Sequence, residues 1–405
     1  MTWFVPGRVE VLGKHTDYAG GRSLLIASEQ GVLATATPLQ GKGFFRARSQ
    51  ASPDVVELRA GEPSQLDAGH WGNYIQTVVD RLTLNFGPLD SAEIKVESTL
   101  PLASGMSSSS ALMVAVALAI ADQNDLWDRP AWKENIKNRL DLAAYAATIE
   151  NGADFKGLAG SSGVGTFGGS QDHTAMINCH EGELTAFSYA PLREHASVPV
   201  PEGYCFVVAV SGVLAEKTGS ALEAYNNVAL RAGELVEVWN QETDSEFQNL
   251  EQVLSSSDDA TEKLVALLMG ESETDPDRPD LMERLLAYLT EVSEVIPLSE
   301  LALARGDVEA FGMLVDLSHA SADSNLHNQV PETNALQSLA RDLGAVAASA
   351  FGAGFGGSEW AMVEEANAEQ FAADWLAAYL EAFPEHAGLA STLVTGAGKP
   401  AHRVE

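Results

Sequence analysis

The pattern of apolar and polar positions predicts strands in the first third of the chain, followed by helices. Apolar and polar residues alternate over 92–98, and short apolar runs bounded by turn residues cover 24–27 and 31–37. Such patterns are typical of strands. An unbroken apolar run over 111–121 predicts a buried helix that begins at the serines near residue 107.

A second long helix is predicted over 134–150, because apolar residues recur there at helical spacing. Asn151 and Gly152 follow it directly, and this pair is a good signal for a helix end. The glycine- and serine-rich stretch 157–170 is then expected to be a loop.

The second half of the chain mixes both kinds of element. The apolar run 203–210 predicts a buried strand, and 221–345 is mostly helical in pattern. The polar stretch 271–280, which contains prolines, is expected to form an exposed loop. This mixture predicts a two-domain α+β protein with a boundary near residue 200.

Acidic residues dominate the charge of the chain. There are 57 of them against 24 basic residues, which gives a net charge of −33. Such a surface repels nucleic acid and anionic lipid, so neither is expected as a partner. The acids are dispersed, which fits a protein from a salt-rich cytoplasm, where counterions screen the repulsion. A moderately acidic protein from an ordinary cytoplasm is the alternative.

The composition also bears on location. The two cysteines provide no disulfide framework, the start of the chain does not resemble a signal peptide, and the longest apolar run is too short to span a bilayer. The expected location is the cytoplasm, and the oligomeric state is left open.

The stretch 6–21 concentrates candidate chemistry in a glycine-edged turn after a run of strand formers. Arg8, Lys14, His15 and Asp17 lie within ten residues of one another. A polar turn on a rigid strand is a common way to hold a small-molecule site. An acidic surface turn is the alternative.

A serine cluster at 107–110 follows Gly105 and leads into the predicted apolar helix. The free N–H groups and positive dipole end of a helix bind anions, and serine hydroxyls add further donors for phosphate. No lysine follows the glycine, so this is not the common phosphate loop of nucleotide-binding proteins. The alternative is a capped helix with spare serines.

Together these motifs resemble the GHMP small-molecule kinases, and within them the galactokinases. The N-terminal stretch and the serine cluster match the first two motifs of that family, and 352–357 matches the third, a glycine-rich turn. Weaker likenesses lie at 70–74 and 318–332. Three ordered motifs at family-like spacing are far more specific than any single glycine pattern.

The resemblance implies a two-domain GHMP kinase fold. Residues 1–200 would form a domain like domain 2 of ribosomal protein S5, with the sugar site and phosphate loop. Residues 201–405 would form a ferredoxin-like domain with the third motif. The implied reaction is ATP-dependent phosphorylation of the anomeric C1 hydroxyl of galactose or a closely related sugar.

The resemblance also implies which residues carry the reaction. Asp172, in a Gly-x-x-Asp pattern, would be the catalytic base, and Arg8 would offset charge beside it. Ser109 and Glu150 would bind Mg²⁺. Galactokinases place the counterparts of Glu150 and Asp172 closer together in sequence, which marks a departure from the family pattern.

The remaining implied contacts fall into two groups. Those to the sugar would come from Lys14, His15, Asp17, Gly169 and Tyr225. Those to ATP would come from Trp71, Tyr74, Gly105, Ser107, Ser108, Ser109, Ser110, Gly354 and Gly356.

Lys14 departs from the family, which has a glutamate here that accepts a hydrogen bond from the C6 hydroxyl of the sugar. A lysine only donates, so it could bind a neutral hydroxyl or a C6 carboxylate, and a uronic acid becomes a second substrate hypothesis. Alternatively Lys14 points to solvent, or pairs with Glu10 or Asp17. His173, beside the proposed base, is a second departure.

A protein that senses sugar and ATP without turnover is the competing class. Known sensors of this type disturb the serine cluster, whereas this chain keeps 107–110, Arg8 and Asp172. The sequence therefore favours an enzyme.

Overall fold

The computed structural model describes residues 1–67, 69–101, 104–165, 168–213, 219–270 and 278–404, with backbone alone for 219–225 and 278–279. Two compact units are interleaved along the sequence. The first comprises Met1–Arg8, Ala27–Glu181 and Gly398–Glu405, and the second comprises Val9–Ile26 and Gly182–Ala397. The predicted division at residue 200 is a single cut through the chain and stays a prediction.

The strands of the described residues are β1 (Thr2–Leu12), β2 (Arg22–Lys42), β3 (Phe44–Ser49), β4 (Ser52–Arg59), β5 (Asp90–Ser98), β6 (Glu183–Tyr189), β7 (Leu192–Pro199), β8 (Tyr204–Val210), β9 (Ala347–Phe351), β10 (Ser358–Glu364), β11 (Ser391–Thr395) and β12 (His402–Val404). The helices are α1 (Gly72–Phe86), α2 (Ser108–Gln123), α3 (Pro130–Asn135), α4 (Arg139–Asn151), α5 (Gln171–Asn178), α6 (Gly219–Thr243), α7 (Leu250–Leu254), α8 (Ala260–Gly270), α9 (Arg278–Leu289), α10 (Ile296–Ala304), α11 (Val308–Ser321), α12 (Pro331–Asp342) and α13 (Ala368–Ala382). Two π-helical turns, Thr290–Val295 and Ala322–Leu326, follow α9 and α11.

The first unit is a sheet with helices packed together beside it. Its strand order is β12-β1-β2-β5-β3-β4, with β5 antiparallel to β2 and parallel to β3. Helix α2 packs against α1, α4 and α5, and its apolar run is buried except for Leu112, which is partly buried. The predicted buried helix is thereby confirmed. The serine cluster forms the start of α2, so the packing of this helix fixes the position of the serines.

Two predicted boundaries in the first unit are wrong. The pattern over 134–150 predicts one helix, but α3 ends before Ile136, whose backbone is extended. A new helix begins after Asn138, because its side chain accepts a hydrogen bond from the backbone N–H of Asp141 and so caps α4. The predicted end is confirmed, since Gly152 adopts the left-handed conformation with φ of 85°. The two runs 24–27 and 31–37 belong to one long strand, β2.

The second unit contains a four-stranded antiparallel sheet in the order β11-β8-β10-β9. Helices α12 and α13 pack on it around buried side chains such as Trp375 and Tyr379, and α11 packs against β9. A separate helical core of α6 to α9 encloses Trp239 and Tyr288. The predicted strand at 203–210 and the helical character of 221–345 are confirmed.

Part of the predicted loop 271–280 lies outside the described residues, and helix α9 has begun by Arg278. Within the described part of the chain, none of the helices combines the length and apolar character needed to cross a membrane.

Candidate active site

In the first unit the fold brings Arg8 and Asp172 into direct contact. Arg8 lies on β1 and Asp172 in the first turn of α5, and Arg8 Nε donates to Asp172 Oδ1 at 2.7 Å. The Arg8 side chain is 6% exposed, whereas that of Asp172 is 19% exposed. A cation in contact favours the ionised carboxylate. Asp172 is thus an anion that a small molecule can still reach.

Arg8 also holds the loop that precedes the serine cluster. Its Nη1 donates to the carbonyl oxygen of Gly105 at 2.5 Å, and its backbone N–H donates to that of Met106 at 3.2 Å. The planar guanidinium suits two directed bonds, here one to Asp172 and one to the Gly105 carbonyl. One side chain therefore sets the position of the loop relative to Asp172.

The serine cluster does more than end a helix. Ser107 occupies the N-cap position of α2 in a left-handed conformation, but its side chain makes no capping hydrogen bond. Its hydroxyl instead contacts Asp172 Oδ2 and lies 3.0 Å from Ser110 Oγ. The first intrahelical bond runs from the Ala111 N–H to the Ser107 carbonyl. The N–H groups before Ala111 therefore have no partner within the helix and can bind an anion.

Glu150 continues this network at the end of α4. Ser110 Oγ donates to Glu150 Oε2 at 2.6 Å, and His173 Nε2 lies 3.2 Å from the same oxygen. A carboxylate and a hydroxyl side by side are the kind of oxygen donors that Mg²⁺ prefers, so these residues fit that ion. The sequence nominated Ser109 as the hydroxyl ligand, and here Ser110 is the serine that contacts Glu150.

This oxygen pair differs from a cluster of strong metal ligands. The described residues contain no group of three or more His, Cys, Asp and Glu side chains placed to hold a metal ion by themselves. A Mg²⁺ ion held by Glu150 and a serine would therefore need further oxygen ligands, which phosphate groups and water can supply.

The residues nominated for the adenine lie at the start of α1. Trp71 stands at its N-cap position and Tyr74 in its first turn. The ring of Trp71 stacks on His70 with the centroids 5.9 Å apart, and its buried indole N–H has no hydrogen-bond partner among the described residues. Since α1 packs on α2, these aromatic side chains and the serine cluster are on neighbouring helices. Their role in nucleotide binding stays a prediction.

In the second unit, residues 13–21 form a tight turn. We call it the sugar loop after the role predicted from the sequence, and that role stays a prediction. The N–H of Gly20 donates to the Asp17 carbonyl and that of Gly21 to the Thr16 carbonyl. Gly13 has a φ of 103°, and a Cβ there would lie 2.6 Å from Ser23 Cα, so only glycine fits. The loop is therefore rigidly shaped by its own backbone.

His15 is held in one tautomer within this loop. Burial, with Arg284 and Lys14 nearby, lowers the pKa of His15 to about 4, so the ring is neutral at neutral pH. Nε2 lies 3.0 Å from the Ala353 carbonyl and Nδ1 lies 2.8 Å from Tyr18 Oη. A carbonyl only accepts, so Nε2 carries the proton and Nδ1 accepts from Tyr18.

Lys14 is buried in the second unit, with 2% of its surface exposed. The hypothesis that it points to solvent is therefore wrong. Its ammonium donates to Ser318 Oγ at 2.7 Å, and Ser318 in turn donates to Glu291 Oε1. The other oxygen of Glu291 accepts the backbone N–H of Gly13 at 2.8 Å.

The third glycine motif forms a turn between β9 and β10. Gly354 has a φ of 77°, and a Cβ there would lie 2.4 Å from the Asn328 carbonyl oxygen. Gly356 has a φ of 118° and approaches Val213 in the same way. The glycines are thus required by close backbone contacts, and their role toward ATP stays a prediction.

The predicted site residues therefore form two connected groups. Arg8, Gly105, Ser107, Ser110, Glu150 and Asp172 are linked within the first unit. Lys14 and His15 are joined to distant parts of the second. Gly169 lies partly exposed three residues before Asp172. The side chain of Tyr225 lies outside the described residues.

Sequence reasoning did not assign roles to Glu291, Ser318 or Glu359. Glu291 lies in a helical stretch without a motif, so nothing marked it. Ser318 lies in a stretch that was noted only for its family likeness. Glu359 gave a usable signal, because it is a charged residue directly followed by the apolar run 360–363.

Comparison with known proteins finds matching family models, curated relatives and solved structures. Three family models match: "GHMP kinases N terminal domain" at residues 73–166, "Galactokinase galactose-binding signature" at 1–38 and "GHMP kinases C terminal" at 299–382. A galactokinase of Thermococcus kodakarensis is 28% identical over 95% of both chains. One of Chloroflexus aggregans is 27% identical over 92% of this chain and 86% of that one.

The chain belongs to the GHMP kinases. The crystal structure of Lactococcus lactis galactokinase complexed with galactose has the same fold, with a TM-score of 0.80 at 23% identity over 100% of this chain and 95% of that one. A Methanococcus jannaschii mevalonate kinase has a TM-score of 0.59 at 12% identity over 98% of both chains. The expected two-domain GHMP kinase fold is confirmed, as is the expectation of an ATP-dependent sugar kinase.

Proposed function

We propose that this kinase phosphorylates the anomeric C1 hydroxyl of galactose or a closely related sugar. The observation that carries the proposal is the contact of Arg8 and Ser107 with the reachable carboxylate of Asp172, at the loop that opens α2. The galactokinase signature over 1–38 and the names of the relatives support galactose as the first sugar to test.

Asp172 acts as the base in this proposal. Its carboxylate accepts the proton of the C1 hydroxyl, the C1 oxygen attacks the terminal phosphorus of ATP, and the bond from that phosphorus to the bridging oxygen breaks to release ADP. Arg8 offsets the negative charge that gathers on the transferring phosphoryl group. Phosphoryl transfer depends mainly on positioning and charge stabilisation, and the two bonds of Arg8 supply the positioning.

ATP binds in this proposal through backbone groups rather than a basic patch. The free N–H groups in the first turn of α2, with Gly105, Ser107, Ser108 and Ser109, hold the phosphates. By the family resemblance, Trp71 and Tyr74 would contact the adenine, and Gly354 and Gly356 would also bind ATP. This arrangement explains how a chain with a net charge of −33 binds an anionic nucleotide.

Glu150, with Ser109 or Ser110, would hold the Mg²⁺ that accompanies ATP. The ion would neutralise charge on the phosphate oxygens. The sugar would be bound by His15, Asp17, Gly169 and Tyr225. The second candidate, a uronic acid, rests on contact between Lys14 and C6, and the burial of Lys14 against Ser318 counts against that contact.

The direct test is an ATP-coupled assay over galactose, other hexoses and galacturonate, at several salt concentrations. We expect galactose or a near relative to be the best substrate, with the phosphate on C1 by phosphorus NMR. Sugar binding by calorimetry without turnover would contradict the proposal and favour a sensor. Highest activity without added salt would contradict the inference of a salt-rich cytoplasm.

A further inference from the structure

Lys14 and its neighbour Gly13 each bond to a residue from a distant part of the second unit. Its ammonium donates to Ser318, 304 residues further along the chain, and the adjacent Gly13 N–H donates to Glu291, 278 residues away. Gly13, Ser318 and Glu291 are all buried, and Lys14 itself is 2% exposed. The contacts of Lys14 thus lie inside the protein.

Chemistry fixes the direction of the hydrogen bonds that link this cluster. An ammonium only donates, so Ser318 Oγ accepts from Lys14. The single hydroxyl proton of Ser318 is then free to go to Glu291, whose other oxygen accepts from Gly13. The result is a closed ring through the Gly13–Lys14 backbone, which we call the Lys14 relay (Gly13, Lys14, Ser318, Glu291).

His15, the residue after Lys14, makes two further hydrogen bonds. His15 bonds the Ala353 carbonyl through its ring, and Arg284 donates to the backbone carbonyl of His15 at 2.6 Å. Three consecutive residues of the sugar loop are therefore each tied to a different part of the unit. A loop held in this way presents His15 and Asp17 in one geometry.

A second buried acid lies within the field of Lys14. Glu359 is completely buried on β10, and neither of its carboxyl oxygens has a hydrogen-bond partner among the described residues. Burial raises its pKa well above the usual range, and the Lys14 ammonium acts in the opposite direction. The positive charge of Lys14 therefore also reduces the cost of burying an acid in the sheet.

We propose that Lys14 is a positioning residue, whose ammonium closes the Lys14 relay and holds the sugar loop, and not a ligand of the C6 group of the substrate. The inference rests on the proposed function only in taking the sugar loop to bind sugar. The relay itself is a property of the folded protein, so unfolding experiments test it separately.

The first test is thermal unfolding of Lys14→Met, Ser318→Ala and the double variant. Loss of one partner from a buried charged network is strongly destabilising, so we expect Lys14→Met to lower the unfolding midpoint by about 8 °C or more. Because both changes break the same relay, the double variant should fall well short of the sum of the single shifts. The matched control is Lys42→Met, which removes an exposed lysine 3.7 Å from Asp90 and should shift the midpoint by no more than about 2 °C.

Additive shifts, or a Lys14→Met midpoint close to that of wild type, would overturn the relay. Where Lys14→Met does not accumulate as folded protein, Ser318→Ala carries the test with Glu291→Gln. That pair should also be non-additive, and additivity there counts against the relay in the same way.

The second test compares galactose with 6-deoxygalactose, which lacks the C6 hydroxyl. We expect Lys14→Met to lower kcat/KM for both sugars by the same factor, within about twofold, with the loss mainly in KM. A loss more than about tenfold larger for galactose would show direct contact with C6 and overturn the proposal. If wild type phosphorylates no sugar, the proposed function fails, and the unfolding cycle still decides the relay.

Discussion

Each unit buries one basic residue of the N-terminal motif against acids, and the two arrangements differ in the exposure of the acid. Arg8 in the first unit donates directly to Asp172, whose side chain is 19% exposed. Lys14 in the second unit reaches Glu291 through Ser318, and both residues are buried. Asp172 remains reachable and can act on a substrate, whereas Glu291 is enclosed and holds the loop.

Serine has a different part in the two regions. Ser107 lies between Asp172 and Ser110, and Ser110 contacts Glu150, so the hydroxyls of the first unit join two acids that we assign to chemistry. Ser318 joins the ammonium of Lys14 to the carboxylate of Glu291, and both of these groups are buried. Similar motif residues therefore do different work according to what surrounds them.

The largest effect should come from Asp172→Asn. Asparagine keeps the shape and an acceptor for Arg8 but cannot take the proton, so we expect kcat to fall by roughly 10²-fold or more. Steady-state kinetics with the preferred sugar measures this. Near-wild-type turnover would remove Asp172 from the role of base.

Arg8→Lys should have the next largest effect. Lysine keeps the charge but cannot make both the bond to Asp172 and the bond to the Gly105 carbonyl. We expect kcat to fall by about 10- to 100-fold, with circular dichroism showing a folded protein. Activity equal to wild type would mean that the positive charge at residue 8 is sufficient and that the two directed bonds of the guanidinium are not needed.

Glu150→Gln should act on the magnesium requirement. Glutamine still accepts from Ser110 but lacks the charge, so we expect the Mg²⁺ concentration for half-maximal activity to rise by about tenfold. The control is Glu134→Gln, which changes an exposed acid on α3. An unchanged magnesium dependence in Glu150→Gln would take Glu150 out of the metal site.

His319 offers a smaller effect on stability in the second region. Burial, followed by the Lys14 ammonium, lowers its pKa to about 4 from 6.5. The neutral ring is favoured in the fold, so its contribution is present above pH 6.5 and is lost as the pH falls toward 4. Between pH 7 and pH 5 this costs wild type roughly 2 kcal/mol.

His319→Asn removes that titration and keeps an acceptor near Nδ1. Urea unfolding at both pH values should therefore show the variant losing about 2 kcal/mol less than wild type. His15 shifts in the same direction and Glu359 in the opposite one, and both are common to the two proteins. An identical pH dependence would mean that His319 is not held neutral.

The difference between the two regions also sets how much the sequence could predict. The resemblance to the GHMP kinases implied that Arg8, Asp172 and the serine cluster form one site, and the structure links them within one unit. The motifs that carry the resemblance are local, because a glycine loop and a helix start are visible in a few adjacent residues. The role of each residue in the reaction stays a prediction.

The relay could not be predicted in the same way. Ser318 and Glu291 meet Lys14 only after distant segments pack, and neither stands in a pattern that signals contact with residue 14. The break before α4 was missed for a local reason. Asn138 caps the start of α4 by accepting the backbone N–H of Asp141, and this cap begins a new helix even though the apolar spacing continues. Spacing predicts which face is buried, and it says little about which buried polar groups pair.

The central claim is that the two buried basic residues serve different purposes, and one paired measurement tests it. The kcat and the unfolding midpoint of Asp172→Asn and Lys14→Met are measured side by side. We expect Asp172→Asn to lose about 10²-fold or more in kcat, with a smaller midpoint shift than Lys14→Met, because asparagine still accepts the hydrogen bond of Arg8. We expect Lys14→Met to lower the midpoint by about 8 °C or more, with a loss in kcat below about tenfold. An Asp172→Asn enzyme that keeps its turnover, or a Lys14→Met protein that keeps its midpoint, would contradict the account.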